Sequence, residues 1–227
     1  LEYIRKILQT DIKHQLSVMG EIKISMQSLD NEVLKNIDRK NIPLDQQITA
    51  LKDASPWKKL PIYVELIHGL PGMTTDKFYH ELDILGNQRL SIQWYPWILL
   101  PEAPAYSRNY RDQHGLGVTV RTQGGWNWSE DVNSYNEIVI ESNSFTRDDY
   151  LEMMLSSGLY KLFVQGGLYQ DTIQWIEQKH SIGIGEICKD IYQNFFMQSN
   201  VTKEFKNQVY HQWHNVILKN STVPCFI

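Results

Sequence analysis

The chain has 227 residues, of which 42% are hydrophobic and 21% are charged, and its formal net charge is −4. This composition is typical of a globular protein with a substantial core. The weak negative charge argues against a nucleic-acid partner, and the apolar runs are too short to predict a membrane span. Two cysteines, Cys188 and Cys225, are too few and too far apart for a metal-binding framework, so we expect a reducing, cytoplasmic setting.

The chain begins with a predicted helix over residues 2–18. A strand is predicted over residues 21–28, because Ile22, Ile24 and Met26 alternate with polar residues. This period of two places the three apolar side chains on one face of the strand.

Two short helices and a second strand follow. Asp30 is a suitable N-cap for the first helix, and Pro43 stands where its missing N–H costs little, before a helix over residues 44–54. Residues 60–67 form a nearly continuous apolar run. Such a run predicts a strand that is buried on both faces of a parallel sheet.

A glycine-rich turn then leads to a helix over residues 76–85, which a threonine caps and Gly86-Asn87 ends, and to a third strand over residues 89–97. Alternating strands and helices indicate βαβ units and a parallel sheet. Three strands make at most half of a barrel, and an unpaired edge strand would expose backbone groups. We therefore expect further strands upstream of Leu1.

The rest of the chain has a different character. Residues 106–145 are predicted to be irregular apart from one strand over residues 137–140. An apolar stripe that starts at Tyr150 predicts an amphipathic helix, and three more helices are predicted over residues 171–179, 184–198 and 202–218. The expected division of the chain is 1–105, 106–145 and 146–227.

Four polar residues near the ends of the predicted strands are candidate ligand contacts. Gln27, with Ser25 on the same strand face, would look toward the mouth of a barrel. Arg39 could hold a carboxylate through two parallel bonds, and Glu65 needs a partner because it lies in an apolar strand. The structural alternatives are a polar strand end for Gln27, a solvated charge for Arg39 and an ion pair for Glu65.

Other patterns are less specific. His211 and His214 lie one helical turn apart without an obvious third ligand, so no metal site is predicted. Trp94, Trp97 and the segment 124–128 could line an apolar pocket, although core packing is the commoner use of tryptophan.

The order of these segments resembles that of radical S-adenosylmethionine (SAM) enzymes. Ser25-Met26-Gln27-Ser28, continuing to residue 40, is similar to the fourth-strand segment of that family. Glu65-Leu66-Ile67-His68-Gly69-Leu70-Pro71-Gly72 is similar to the fifth-strand segment. Residues 99–116 resemble the sixth-strand loop, and residues 137–150 resemble a stretch typical of the cobalamin-binding branch.

The resemblance implies an α/β fold, namely the C-terminal half of a partial (β/α)6 barrel followed by a mostly helical region. It also implies a parent enzyme that uses SAM and a [4Fe–4S] cluster to generate a 5′-deoxyadenosyl radical, with cobalamin-dependent methyl transfer as the leading reaction. The substrate would be an unknown small molecule or peptide. The implied SAM contacts are Gln27, Arg39, Glu65 and Ser25, with Arg39 on the methionine carboxylate.

The chain departs from the family because it has no Cys-x3-Cys-x2-Cys motif to ligate the cluster. We expect that it is a truncated piece, and that the missing N-terminal half of the enzyme is its partner and provides the cluster ligands and the cobalamin domain. The alternative is a cluster-less half-barrel that acts as a non-catalytic binding or assembly module. An ordinary TIM-barrel hydrolase or aldolase is disfavoured, because no paired carboxylates or Schiff-base lysine can be placed.

Overall fold

The computed structural model describes residues 22–53, 62–122 and 135–198, together with the isolated positions 6, 10, 200, 203, 204 and 207. The helices predicted over residues 2–18 and 202–218 lie almost entirely outside this part of the chain. The segment 124–128 and the pair His211 and His214 also lie outside it.

Three parallel strands form the first sheet, in the order β1-β2-β3. The strands are β1 (Ile22–Gln27), β2 (Ile62–His68) and β3 (Ser91–Pro96). The helices that follow β1 and β2 are α1 (Asn31–Asn36), α2 (Leu44–Asp53) and α3 (Thr75–Asn87). The mixed α/β class is confirmed, while the three strands form an open sheet, so the barrel stays a prediction.

Local sequence signals account for where these helices begin. The Asp30 carboxylate accepts hydrogen bonds from the backbone N–H groups of Glu32 and Val33, at 3.0 and 2.9 Å, and so caps α1. The Thr74 hydroxyl accepts from the backbone N–H of Lys77 at 3.2 Å and caps α3 in the same way. Both caps lie at the C-terminal edge of the sheet, and they therefore fix the path of the chain around the ends of β1 and β2.

The two faces of the parallel sheet differ in chemistry. Ile24, Val64 and Ile92 are neighbours in register and are buried in the main core. The next row, which points the other way, consists of the partly or fully exposed Ser25, Glu65 and Gln93. The prediction that β2 is buried on both faces is therefore wrong, because its residues alternate between buried and half-buried.

A second, antiparallel sheet has the order β4-β6-β5. Its strands are β4 (Ile98–Leu99), β5 (Gly117–Thr122) and β6 (Tyr135–Glu141), and helix α4 (Arg108–His114) precedes β5. The prediction of an irregular segment over residues 106–145 is therefore wrong, although the strand predicted inside it is confirmed. The strand β5 was not predicted, since it is stabilised by pairing with β6, whose residues lie more than ten positions further along the sequence.

Helices complete the described part of the chain. They are α5 (Arg147–Tyr160) with a π-helical turn (Lys161–Gln165), α6 (Gln170–His180), and α7 (Ile184–Asp190) with a second π-helical turn (Ile191–Phe196). Tyr150, Met153 and Leu159 are buried as predicted, but Leu162 is 52% exposed because the change to π-helical bonding shifts the phase of the stripe. Within the described residues, no helix combines the length and the hydropathy that crossing a membrane requires.

Helices α3 and α7 approach each other closely at two glycines. A Cβ atom built on Gly86 would lie 2.2 Å from Cγ2 of Ile184, and one built on Gly185 would lie 2.2 Å from the carbonyl oxygen of Tyr79. The Asp83 carboxylate accepts a hydrogen bond from the backbone N–H of Gly185 at 2.6 Å. The prediction that Gly86-Asn87 ends the helix is confirmed, since α3 ends at Asn87, and Gly86 also makes room for α7.

Candidate functional site

Three of the four predicted contact residues meet on the polar face of the parallel sheet. Ser25 and Glu65 are neighbours in register, and the Ser25 hydroxyl donates a hydrogen bond to Oε2 of Glu65. Nη2 of Arg39 donates to the backbone carbonyl of Ser25 at 2.7 Å. The hydroxyl of Tyr95, on β3, lies 3.4 Å from Oε1 of Glu65 and donates to it. All three strands therefore contribute to one polar cluster.

Glu65 is half-buried, and the expectation of a deeply buried carboxylate is corrected, because the face on which it lies is the more open one. Its partners are the hydroxyls of Ser25 and Tyr95. Among the described residues it forms no ion pair with a Lys or Arg side chain. A carboxylate has about four lone-pair positions, so two donors leave room for a ligand.

Gln27 sits at an unusual backbone position at the end of β1. Its φ is +60°, and the N–H of Ser28 bonds to the carbonyl of Met26 at 2.8 Å, which makes Gln27 the central residue of a γ-turn. The register between β1 and β2 shifts at the same point. The side-chain Oε1 of Gln27 is buried and has no hydrogen-bond partner within the described part of the protein. An orphaned acceptor of this kind costs about 1–3 kcal/mol, so a donor from a ligand would stabilise it.

Arg39 lies just beyond α1, where its side chain is exposed but anchored at two points. Its Nε donates to Oδ1 of Asn41 at 2.9 Å, and its Nη2 donates to Ser25. A guanidinium has five N–H donors in a planar fork. The remaining donors can therefore bind a carboxylate while the two anchors hold the plane of the group. The prediction of a solvated charge is therefore incomplete, because the guanidinium is held by two hydrogen bonds. Among the described residues it forms no ion pair.

Two residues that support this cluster were not identified from the sequence. Nδ2 of Asn41 donates to the carbonyls of Met26 and Ser28, at 2.6 and 3.2 Å. The buried Glu81 of α3 accepts from the hydroxyl of Ser28 and, at 2.7 Å, from the N–H of Leu29. Glu81 could have been recognised from the sequence, because it lies among the apolar residues Phe78, Leu82 and Leu85 of α3. Nothing in the sequence distinguishes Asn41.

Glu81 differs from an ordinary surface carboxylate in its protonation. Burial raises the pKa of Glu81 to about 7, against the opposing effect of its hydrogen bonds from Ser28, Leu29 and Asp30. All of these bonds end on Oε1, which leaves Oε2 to carry the proton of the neutral form. The turn after β1 is thus held by a carboxyl group that titrates near neutral pH.

The aromatic residue Trp94 is partly buried and packs against the hydrophobic core. It stacks on the buried imidazole of His68, with ring centroids 5.5 Å apart and 13° between the planes, and it also contacts Phe78 and Tyr160. Burial, with a smaller effect of Lys161, lowers the pKa of His68 to about 3, so the imidazole is neutral at physiological pH. Core packing therefore explains Trp94 better than a ligand pocket does.

The described residues contain no group of three His, Cys, Asp or Glu side chains that could hold a metal ion. Cys188 is buried, and this burial, together with the charge of Asp83, raises the pKa of its thiol to about 12. A protonated thiol is a poor metal ligand. The described residues therefore do not fit an iron–sulfur cluster, while the polar cluster on the sheet has the donors and acceptors for a polar organic ligand.

Comparison with known proteins adds two relatives, and no family model matches the chain. The cobalamin-dependent radical SAM methyltransferase TokK of Streptomyces tokunonensis is 29% identical over 192 residues, which cover 81% of this chain and 27% of that protein. The 2-(S-pantetheinyl)-carbapenam-3-carboxylate methyltransferase of Streptantibioticus cattleyicolor is 28% identical over 193 residues, which cover 80% of this chain and 27% of that protein.

The chain thus spans about a quarter of the length of the curated relatives that it matches. Both relatives are named as methyltransferases, and one is named as a cobalamin-dependent radical SAM enzyme. In sequence, the chain is therefore similar to one part of these methyltransferases.

Proposed function

We propose that the chain is part of a radical SAM enzyme, and that the polar face of its parallel sheet contacts SAM. The observation that carries the proposal is that Ser25 and Glu65 are paired on the neighbouring strands β1 and β2, and that Arg39, which lies beyond α1, bonds to Ser25. The C-terminal ends of parallel strands are where ligands bind in α/β folds. The similarity to two methyltransferases supports the same conclusion.

The side chains of the cluster match the polar groups of SAM. The free N–H groups of Arg39 suit the methionine carboxylate, because a guanidinium binds a carboxylate through two parallel bonds. Glu65 can accept from an ammonium group or from ribose hydroxyls, and the buried acceptor of Gln27 requires a donor. Ser25 orients Glu65 through its hydroxyl. These residues bind and orient the ligand.

SAM with a [4Fe–4S] cluster would supply radical chemistry, and cobalamin would supply methyl transfer to an unknown small molecule or peptide. The described residues contain no group of three His, Cys, Asp or Glu side chains that could hold a metal ion, and we propose that another part of the protein holds the cluster and the cobalamin. The missing N-terminal half of the enzyme is therefore the proposed partner of this chain. We also propose a cytoplasmic location, since a reducing compartment suits such a cluster.

The test of this function uses the full-length gene product, purified without oxygen. We expect about four iron atoms per chain, bound cobalt, and cleavage of SAM to 5′-deoxyadenosine. Iron without cobalt would retain the radical chemistry and remove the cobalamin branch. If neither metal binds, the enzyme proposal is wrong, and the chain is better described as a non-catalytic binding or assembly module.

Replacing Arg39 with alanine should weaken SAM binding by about 10- to 100-fold, because a charge-assisted, bidentate contact is lost. The measurement is the dissociation constant of SAM for the full-length protein by equilibrium dialysis. Lys40→Ala is the matched control, since Lys40 is the neighbouring exposed cation. Equal binding by the wild type and Arg39→Ala would contradict the assigned role of Arg39.

A further inference from the structure

We infer that Asn41 is a positioning residue for SAM binding, because its side-chain amide fixes Arg39 and the turn at Gln27 relative to each other. The inference rests on the proposed function and adds a residue that does not itself touch SAM. It concerns how the contacts are held in place.

Asn41 forms hydrogen bonds both to Arg39 and to the turn at Gln27. Its Oδ1 accepts from Nε of Arg39 at 2.9 Å. Its Nδ2 donates to the carbonyl of Met26 at 2.6 Å and to that of Ser28 at 3.2 Å. These two carbonyls flank Gln27 in the sequence, so one amide spans the whole turn.

The turn at Gln27 needs such support. A residue other than glycine with φ of +60° is strained, and it persists only where its surroundings hold it. The carbonyl of Met26 accepts from both the N–H of Ser28 and the amide of Asn41. Asn41 therefore braces the γ-turn from the side of Arg39, while Glu81 holds the following residues from the side of α3.

The same amide orients the guanidinium. Nε of Arg39 is bound to Asn41 and Nη2 is bound to the carbonyl of Ser25, so two bonds in one plane fix the direction of the fork. A long side chain that is already ordered loses less freedom when it binds a ligand. Asn41 thus pre-organises the group that would receive the carboxylate.

The hydrogen-bonding capacity of Asn41 indicates that it acts through its neighbours. An amide nitrogen has two N–H donors, and here both point to backbone carbonyls. The amide oxygen already accepts from Arg39. Little capacity remains for a direct contact with a ligand.

The experiment is a mutational cycle in the full-length protein, with the dissociation constant of SAM as the readout. Asn41→Ala should raise the dissociation constant about tenfold in the wild-type background. In the background Arg39→Ala plus Gln27→Ala, the same change should have less than about a twofold effect, since the residues it positions are gone. Asn143→Ala is the matched control, because the Asn143 amide also bonds to a backbone carbonyl, that of Gln113, but near the second sheet.

The variant Asn41→Ser serves if Asn41→Ala does not fold. Its hydroxyl is neutral and keeps one donor and an acceptor on a shorter side chain, so its dissociation constant should fall between those of the wild type and Asn41→Ala. An equal effect of Asn41→Ala in both backgrounds would overturn the inference. So would unchanged binding by Asn41→Ala in a protein in which Arg39→Ala weakens binding. If Arg39→Ala and Gln27→Ala also have no effect, the proposed function fails as well.

Discussion

Replacing Glu81 with glutamine is expected to change how the stability of the protein depends on pH. Burial raises the pKa of Glu81 from 4.5 to about 7 in the folded protein. The folded state therefore holds the proton more tightly than the unfolded state does. This contribution to stability is fully present below about pH 4.5 and is lost as the pH rises through about 7. A pKa difference of this size corresponds to about 3 kcal/mol.

The measurement is the free energy of unfolding by urea at several pH values between about 5 and 8, for the wild type and Glu81→Gln. The wild type should lose about 3 kcal/mol relative to Glu81→Gln over this range, because glutamine does not titrate. Ser28→Ala provides a second test. The hydroxyl of Ser28 favours the ionised form of Glu81, so its removal should raise the pKa of Glu81 further. The pH at which the wild-type protein loses stability should then move to a higher value. If the free energies of unfolding of the wild type and Glu81→Gln depended on pH in the same way, the raised pKa of Glu81 would be contradicted.

Replacing Gly185 with alanine should destabilise the protein by about 2–3 kcal/mol, because it overpacks the contact between α3 and α7. The new Cβ would lie 2.2 Å from the carbonyl oxygen of Tyr79, a backbone atom that cannot rotate away. It would also crowd the Asp83 carboxylate, which accepts a hydrogen bond from the N–H of Gly185. The helices would have to separate.

Gly158→Ala is the matched control for Gly185→Ala. Gly158 lies inside α5, and no atom lies within 4 Å of a Cβ built on it. Alanine is favoured over glycine in a helix, so this variant should be more stable by about 0.5–1 kcal/mol. Both variants are measured by urea denaturation, with hydrogen exchange of the α3 amides as a local readout. Similar stabilities for the two variants would show that the contact between the helices is looser than described.

The elements that depend on local patterns were predictable from the sequence. The alternation of Ile22, Ile24 and Met26 predicts β1, and Asp30 predicts the start of α1, because both signals act over a few residues. The second sheet was missed because β5 and β6 are stabilised by pairing with each other. The role of Gly86 was missed because it depends on Ile184, which is distant in the sequence.

In the candidate site, too, features set by local sequence patterns were predictable and features set by distant contacts were not. Ser25 and Glu65 were each predicted to contact a ligand, and the structure shows in addition that their side chains are hydrogen-bonded to each other. The burial of Glu65 was overestimated, since an apolar strand sequence does not reveal that one face is open. Asn41 and Glu81 were missed because most of their partners are backbone groups. Almost every residue type has the same backbone groups, so the sequence does not show which of them a side chain will bind.

The close approach of α3 and α7 limits how segments of this protein can be exchanged with those of a relative. Ile184 fits against α3 only because residue 86 has no side chain, and the backbone at Tyr79 approaches α7 only because residue 185 has none. A chimera that replaces α7 alone would combine helices whose surfaces were not selected together. A chimera should therefore fold only if residues 75–87 and 183–190 are both taken from the same parent protein, although the whole of the second sheet lies between them in the sequence.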